Sequence, residues 1–160
     1  VGAVSPWGET FYRELVPTDE HYIDGNKAFC EQHGLSRERL LSEGAAPHEA
    51  MRDLAVWEKS LRDRYVKTGK TVLVAFNASY DFPLIDLEYK RAAIENPFGV
   101  AGYCVKSLAM ALGETYDWRT TGKSKLPQEI IPDGEFTHHA LEDAMYQQAL
   151  HFAMVGKLYS

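Results

Sequence analysis

Cysteine is nearly absent: Cys30 and Cys104 are the only two in 160 residues. They lie far apart and match neither a zinc-ligand nor a CxxC spacing. This excludes a disulfide scaffold and a cysteine-built metal module, and predicts two reduced thiols in a cytoplasmic protein. No apolar run approaches the ~18 residues that a membrane helix needs. A basic-then-apolar signal segment is also missing, so no membrane partner is expected. Basic residues are in deficit as well, with 17 Lys and Arg against 23 Asp and Glu for a net charge of −6. That balance argues against a protein held to nucleic acid by bulk charge. It leaves room for a nucleic-acid enzyme, because a site for divalent cations must itself be acidic. There are no repeats, low-complexity tracts or linkers, and the length suits one domain with a real core.

What is present alternates between strand and helix signals. "VGAV" (1–4) and "TFYREL" (10–15), separated by "SPWGE", read as two strands joined by a tight turn. "GNKAFCEQHG" reads as a short helix stopped by Gly34, and "SRERLLSEG" as one capped by Ser36 and stopped by Gly44. From Pro47 to Val66 the residues Ala50, Leu54, Trp57, Leu61 and Tyr65 recur at helical spacing and predict one long amphipathic helix. "TVLVAF" (71–76) is a continuous apolar or β-branched run, expected to be a strand buried on both faces. Beyond it, "DFPLIDLEYKRAAIEN" predicts a helix ended by Asn96-Pro97, with Pro83 in its first turn. "GYCVKSLAMALG" gives a short strand and then a helix stopped by Gly113. "YDWRTTGKSKLPQEIIPDGEF" reads as the least ordered part. A last helix, from about Ala140 to Val155, is expected to bury Leu141, Met145, Ala149, Phe152 and Val155. A hairpin followed by this alternation predicts an α/β domain with a mixed sheet flanked by helices. In such sheets ligands bind beyond the carboxyl ends of strands, where Asn77 to Asp81 fall.

The residues able to carry chemistry each have an ordinary reading too. Asp81 is a natural N-cap for the helix after it. Asp143 and Glu142 gain a little from the dipole of the last helix. At 100° per residue Asp143 sits ~200° from Leu141, so it is expected off the buried stripe, facing solvent or a cleft. His138 lies just ahead of that helix, and histidines there are commonly surface residues. A zinc site is weakly supported, since His138 and His139 are adjacent and nothing else completes a set. A serine hydrolase lacks its GxSxG elbow. Two carboxylates and one imidazole suit hard divalent cations and a base that activates water.

"FNASYDFPLI" (76–85) and "HHALEDA" (138–144) together resemble the DEDDh superfamily of 3′–5′ exonucleases, the group of ribonuclease T and the proofreading subunit of DNA polymerase III. The second exonuclease motif, Asn-x-x-[Phe/Tyr]-Asp, is matched by Asn77, Tyr80 and Asp81. The third, His-x-Ala-x-x-Asp-Ala, is matched by His138, Ala140, Asp143 and Ala144. "IENPFG", "LAMALGET" and "QHGLS" extend the likeness in order along nearly the whole chain, most closely to the ribonuclease T branch. The resemblance implies a ribonuclease H-like fold and a phosphodiesterase using two Mg²⁺ or Mn²⁺ ions at single-stranded DNA or RNA 3′ ends. It implies Asp81 and Asp143 as metal ligands, His138 as the base for the attacking water, Tyr80 as an aromatic that stacks on a terminal base, and Asn77 as an orienting residue. His139 receives no role. Dimers are known in the ribonuclease T branch, which makes a homodimer possible here.

The first motif of that superfamily, Asp-x-Glu on the first strand, has no counterpart. Glu9 in "GET" is the nearest acid, but Trp occupies position 7 and the surrounding segment resembles the stretch downstream of the motif. Near residue 104, where the family has an acid, this chain has "YCVK". Two carboxylates hold two divalent ions poorly. Either a segment with one central strand and the acidic pair precedes Val1, or the protein is a degenerate module that binds nucleic-acid ends or another protein. The expectation is the first, a single exonuclease-like domain over residues 1–160 that lacks its first strand.

Overall fold

The computed structural model describes residues 1–17, 27–133 and 137–159. Among these, the order is β1 (Gly2–Val4), β2 (Thr10–Tyr12), α1 (Lys27–Gln32), α2 (Arg37–Glu43), α3 (Pro47–Tyr65), β3 (Val74–Ala75), α4 (Ala78–Arg91), β4 (Tyr103–Cys104), α5 (Val105–Leu112), three short 3-10 turns and α6 (Ala140–Leu158). The strands pair in two small sheets, β1 with β2 antiparallel and β3 with β4 parallel. Both kinds of pairing expected of a mixed sheet are therefore present, divided between two sheets.

Local signals account for most boundaries. The hairpin closes through Ser5, whose N–H donates to the Glu9 carbonyl at 2.8 Å, with Gly8 in the left-handed region at φ 90°. Ser36 caps α2 by accepting from the Arg39 N–H, and Gly34 ends α1 at φ 71°. The start of the α1 segment, Gly25 and Asn26, lies outside the described residues, as do the last three residues of the 116–136 stretch. Cys30 and Cys104 are free thiols. None of the described helices is long and apolar enough to cross a membrane.

Four expectations change. The 71–76 run is open on one face: Val72 and Val74 are exposed while Ala75 is buried, because a two-stranded sheet is covered on one side only. Helix α4 begins at Ala78, upstream of Asp81, so Pro83 stands inside it and Asp81 is not its N-cap. That helix ends at Arg91, where Ala93 turns left-handed at φ 53° and the Ile94 N–H closes on the Tyr89 carbonyl. The 116–133 segment is tied down rather than loose, with Thr121, Leu126 and Ile130 buried.

The fourth change concerns α6, whose buried stripe is Leu150 and Met154, while Met145, Ala149 and Phe152 are exposed. Counting back from Leu150 at helical spacing gives Gln147 and then Asp143, both half-buried. Asp143 therefore continues the inward face instead of standing opposite it. Periodicity admits either stripe, and packing against the α5 core selects this one.

Two clusters hold the chain together. One joins Val105 and Ala109 of α5, Leu126, Ile130, and Leu150 and Met154 of α6. The other joins Phe11 of β2, Ala50, Met51 and Leu54 of α3, and Tyr89 of α4. Helix α6 starts directly against β1: a Cβ added to Gly2 would lie 2.3 Å from the Ala140 carbonyl carbon. Gln148 fastens the same contact by donating to the Ser5 carbonyl at 2.6 Å. Because the obstacle is backbone, Gly2→Ala should lower stability by at least ~2 kcal/mol in denaturant unfolding.

Candidate active site

Two helix starts and one loop converge. Asp81 sits in the first turn of α4 and Asp143 in the first turn of α6. The start of α4 is set by Asn77, in the left-handed conformation at φ 70°, whose side chain accepts from the Ser79 hydroxyl at 2.9 Å. It is tied to the start of α5 through the Cys104 sulfur. Burial alone would raise that thiol's pKa, but hydrogen bonds from Ser107 and from the backbone N–H groups of Ala78 and Asn77 outweigh it and hold the thiol below its usual range. The start of α6 is preceded by His138 at φ 63°, with His139 at the N-cap position making no side-chain capping bond.

Desolvation is the largest influence on both carboxyls and raises both pKa values. Asp81 is exposed as a residue, yet its carboxyl is affected in this way; its own backbone N–H and the charge of Lys123 pull back. For Asp143 the opposing influences are Lys123, the nearby backbone N–H of His138 and the His138 charge, while Glu142 adds to the rise. One Asp143 oxygen, Oδ1, is buried without a hydrogen-bond partner. Lys123 completes the arrangement. Burial lowers its pKa to about 8, and the charges of Asp143 and Asp81 oppose that fall. Its ammonium lies 5.3 Å from the centre of the Phe76 ring.

Both acids feel the charge of Lys123, and His138 acts on Asp143 through its backbone N–H and its charge. The His138 ring packs edge-on against Phe29 and His33, at 5.1 and 5.0 Å between centroids. It lines a cleft of about 1200 Å³ with Tyr12, His33, His48, Leu84 and His139. Tyr80 is 65% exposed, its ring free to meet a ligand. His139 packs on Tyr12, with ring centres 4.4 Å apart. Glu9 is engaged by Ser5, Arg64 and Tyr65 at the hairpin turn. From the sequence, Arg119, Lys123 and Lys125 read as three bases of a solvated loop that could contact a phosphate backbone, whereas in the structure Lys123 is half-buried between the buried Thr121 and Leu126.

Two carboxylates, that of Asp143 with one unsatisfied oxygen, fit a divalent cation in type. In number they fall short, since no group of three or more His, Cys, Asp or Glu among the described residues could hold a metal.

The chain belongs to the 3′–5′ exonuclease family, on the strength of a relative that aligns almost throughout. That relative is the 3′–5′ DNA exonuclease Cap18 of Escherichia coli, 35% identical over 145 residues, which cover 90% of this chain and 73% of that protein. No family model matches the chain.

The raised carboxyl pKa values have a thermodynamic consequence. A carboxyl whose pKa is higher folded than unfolded destabilises the fold once both states are ionised, and not below the unfolded value. Asp143→Asn should therefore stabilise the protein at pH 7. That gain should fade as pH falls through the raised pKa of Asp143 toward the unfolded carboxyl value of ~3.9. Urea unfolding of both proteins across this range checks it.

Proposed function

We propose that the protein is a metal-dependent 3′–5′ exonuclease of the DEDDh type, with ribonuclease H-like ancestry, that removes nucleotides from single-stranded ends. The observation that carries this reading is the pair of desolvated carboxylates, Asp81 and Asp143, held on two helix starts beside His138 in a chain of the 3′–5′ exonuclease family. The relative's name specifies DNA, and DNA is the proposed substrate.

In this reading Asp81 and Asp143 hold Mg²⁺ or Mn²⁺, the unsatisfied Oδ1 of Asp143 being one donor. When bound, the ions supply activation of water and stabilisation of the leaving 3′ oxygen. A second ion of the two-metal scheme needs acidic donors beyond those the described residues bring together. His138 takes the proton of the attacking water at an imidazole nitrogen. The exposed ring of Tyr80 supports the terminal base by stacking, worth ~1–3 kcal/mol per base in comparable sites. Asn77 fixes the first turn of α4 and so the aim of Asp81.

The same shortage of donors favours a second reading, a nuclease-like module that binds ends without cleaving them. Activity separates the two. The exonuclease reading expects Mg²⁺- or Mn²⁺-dependent release of nucleotides from a 3′ end, abolished by EDTA; no EDTA-sensitive nuclease activity at any pH would leave only the binding module. His138→Ala should lower turnover by ~10²–10⁴-fold while Mn²⁺ binding stays near that of the unaltered protein, because it removes the base and no metal ligand. Equal loss of binding and turnover would contradict that role.

A further inference from the structure

Glu9 is committed to the hairpin turn. The Ser5 hydroxyl donates to its Oε2 at 2.8 Å, and Arg64 at 3.3 Å and the Tyr65 hydroxyl both donate to its Oε1. These bonds join the turn to the last residues of α3. Beside them the rings of Trp7 and Tyr65 lie stacked, with 4.4 Å between centres and 15° between planes. The turn is closed by the Gly8 N–H on the Ser5 carbonyl at 3.0 Å and by the Trp7 N–H on Ser5 Oγ at 3.2 Å. Both rings are thereby held in place before anything binds.

Packing does not account for this pair. The apolar spacing of α3 predicts Tyr65 inside, yet Tyr65 is 40% exposed and Trp7 47%, and neither ring belongs to either core. A fixed, half-open pair of rings is a surface on which a further flat group can stack. The charge around it narrows what that group is. Arg62 and Arg64 are matched by Glu58 and Glu9, and Asp63 by Lys59. Lys67 and Lys70, in the turn that follows Tyr65, are exposed and enter no ion pair among the described residues. In a chain of net charge −6, local positive charge next to an aromatic surface suits a ligand both anionic and aromatic. Single-stranded nucleic acid is such a ligand. A protein partner would use the rings equally well but gives no reason for the lysines.

The pair also lies in reach of the candidate site. Strand β1 runs along α6, with Gly2 beside Ala140 and the Ser5 carbonyl taking a bond from Gln148. From Ala140 to Gln148 the helix rises ~12 Å. At ~3.4 Å per nucleotide or more, about four nucleotides bridge that distance.

We propose that Trp7 and Tyr65 form a platform that holds single-stranded DNA by stacking on a base to the 5′ side of the end in the candidate site, with Lys67 and Lys70 against its phosphates. The inference rests on the DNA reading above and needs neither a metal ion nor any step of the reaction.

The test is binding of a labelled, mixed-sequence single strand of about 12 nucleotides in EDTA, followed by fluorescence anisotropy. Trp7→Ala and Tyr65→Ala should each weaken binding by roughly tenfold, whereas Trp7→Phe, which keeps a ring, should retain most of the affinity. Replacing Lys67 and Lys70 together by Gln should lessen the slope of log affinity against log salt by ~1.4, and Trp7→Ala should leave that slope unchanged. If the strand binds but neither alanine variant weakens it, the platform falls, the surface is one for a protein partner, and the DNA reading stands. An unchanged slope in the double Gln variant overturns the role of the lysines. If the unaltered protein binds no single-stranded DNA, the DNA reading falls and this inference falls with it.

Discussion

Asp81 and Asp143 each carry a carboxyl whose pKa desolvation raises and the charge of Lys123 lowers, and the surrounding structure holds both helix starts in place. Each acid stands in the first turn of a helix, where the dipole favours a negative charge. Each helix start is in turn fixed by a separate device. For α4 it is the left-handed Asn77 and the hydrogen bonds that meet at the Cys104 sulfur. For α6 it is the contact of Ala140 with Gly2, closed by Gln148 on Ser5. The loop that supplies Lys123 is pinned by Thr121 and Leu126. Three segments far apart in sequence are thereby brought to one place by unrelated packing contacts.

Much of the framework was legible in the sequence because its causes are local. Gly8 and Ser5 close the hairpin, Ser36 caps α2, and Gly34 ends α1; each effect acts within a few residues. The candidate acids were legible for a different reason, since a resemblance in motif pointed to Asp81, His138 and Asp143 before any contact was known. The rotation of α6 was not legible. Its sequence carries two apolar stripes, and the choice between Met145–Phe152 and Leu150–Met154 belongs to the α5 core on which it packs. The inward turn of Lys123 was hidden likewise, because its neighbours Phe76, Asp81 and Asp143 lie far from it in sequence.

The two cores show why the site falls where it does. One is built on α5 and α6, the other on β2, α3 and α4. Asp81 belongs to a helix of the second and Asp143 to a helix of the first. The two acids are therefore carried by helices that belong to different cores. Leu84 of α4 and His138 ahead of α6 both line the large cleft, whereas Asp81 and Asp143 are not among its lining residues.

The rotation of α6 bears directly on what Asp143 is for. An acid pointing to solvent is explained by solubility and by the helix dipole, and implies nothing further. An acid at the head of a buried stripe keeps the support of the dipole but gains nothing for solubility. The stripe that runs through Gln147, Leu150 and Met154 would be finished more stably by an amide or an apolar side chain at 143. The carboxylate instead leaves Oδ1 without a partner and carries a raised pKa, both costs to the folded state. Packing supplies no reason to accept those costs, whereas the cation proposed above would supply one. Departures from the most stable choice concentrate where a protein does chemistry. Asp143 is such a departure, placed on the inward face beside the residue expected to act as base.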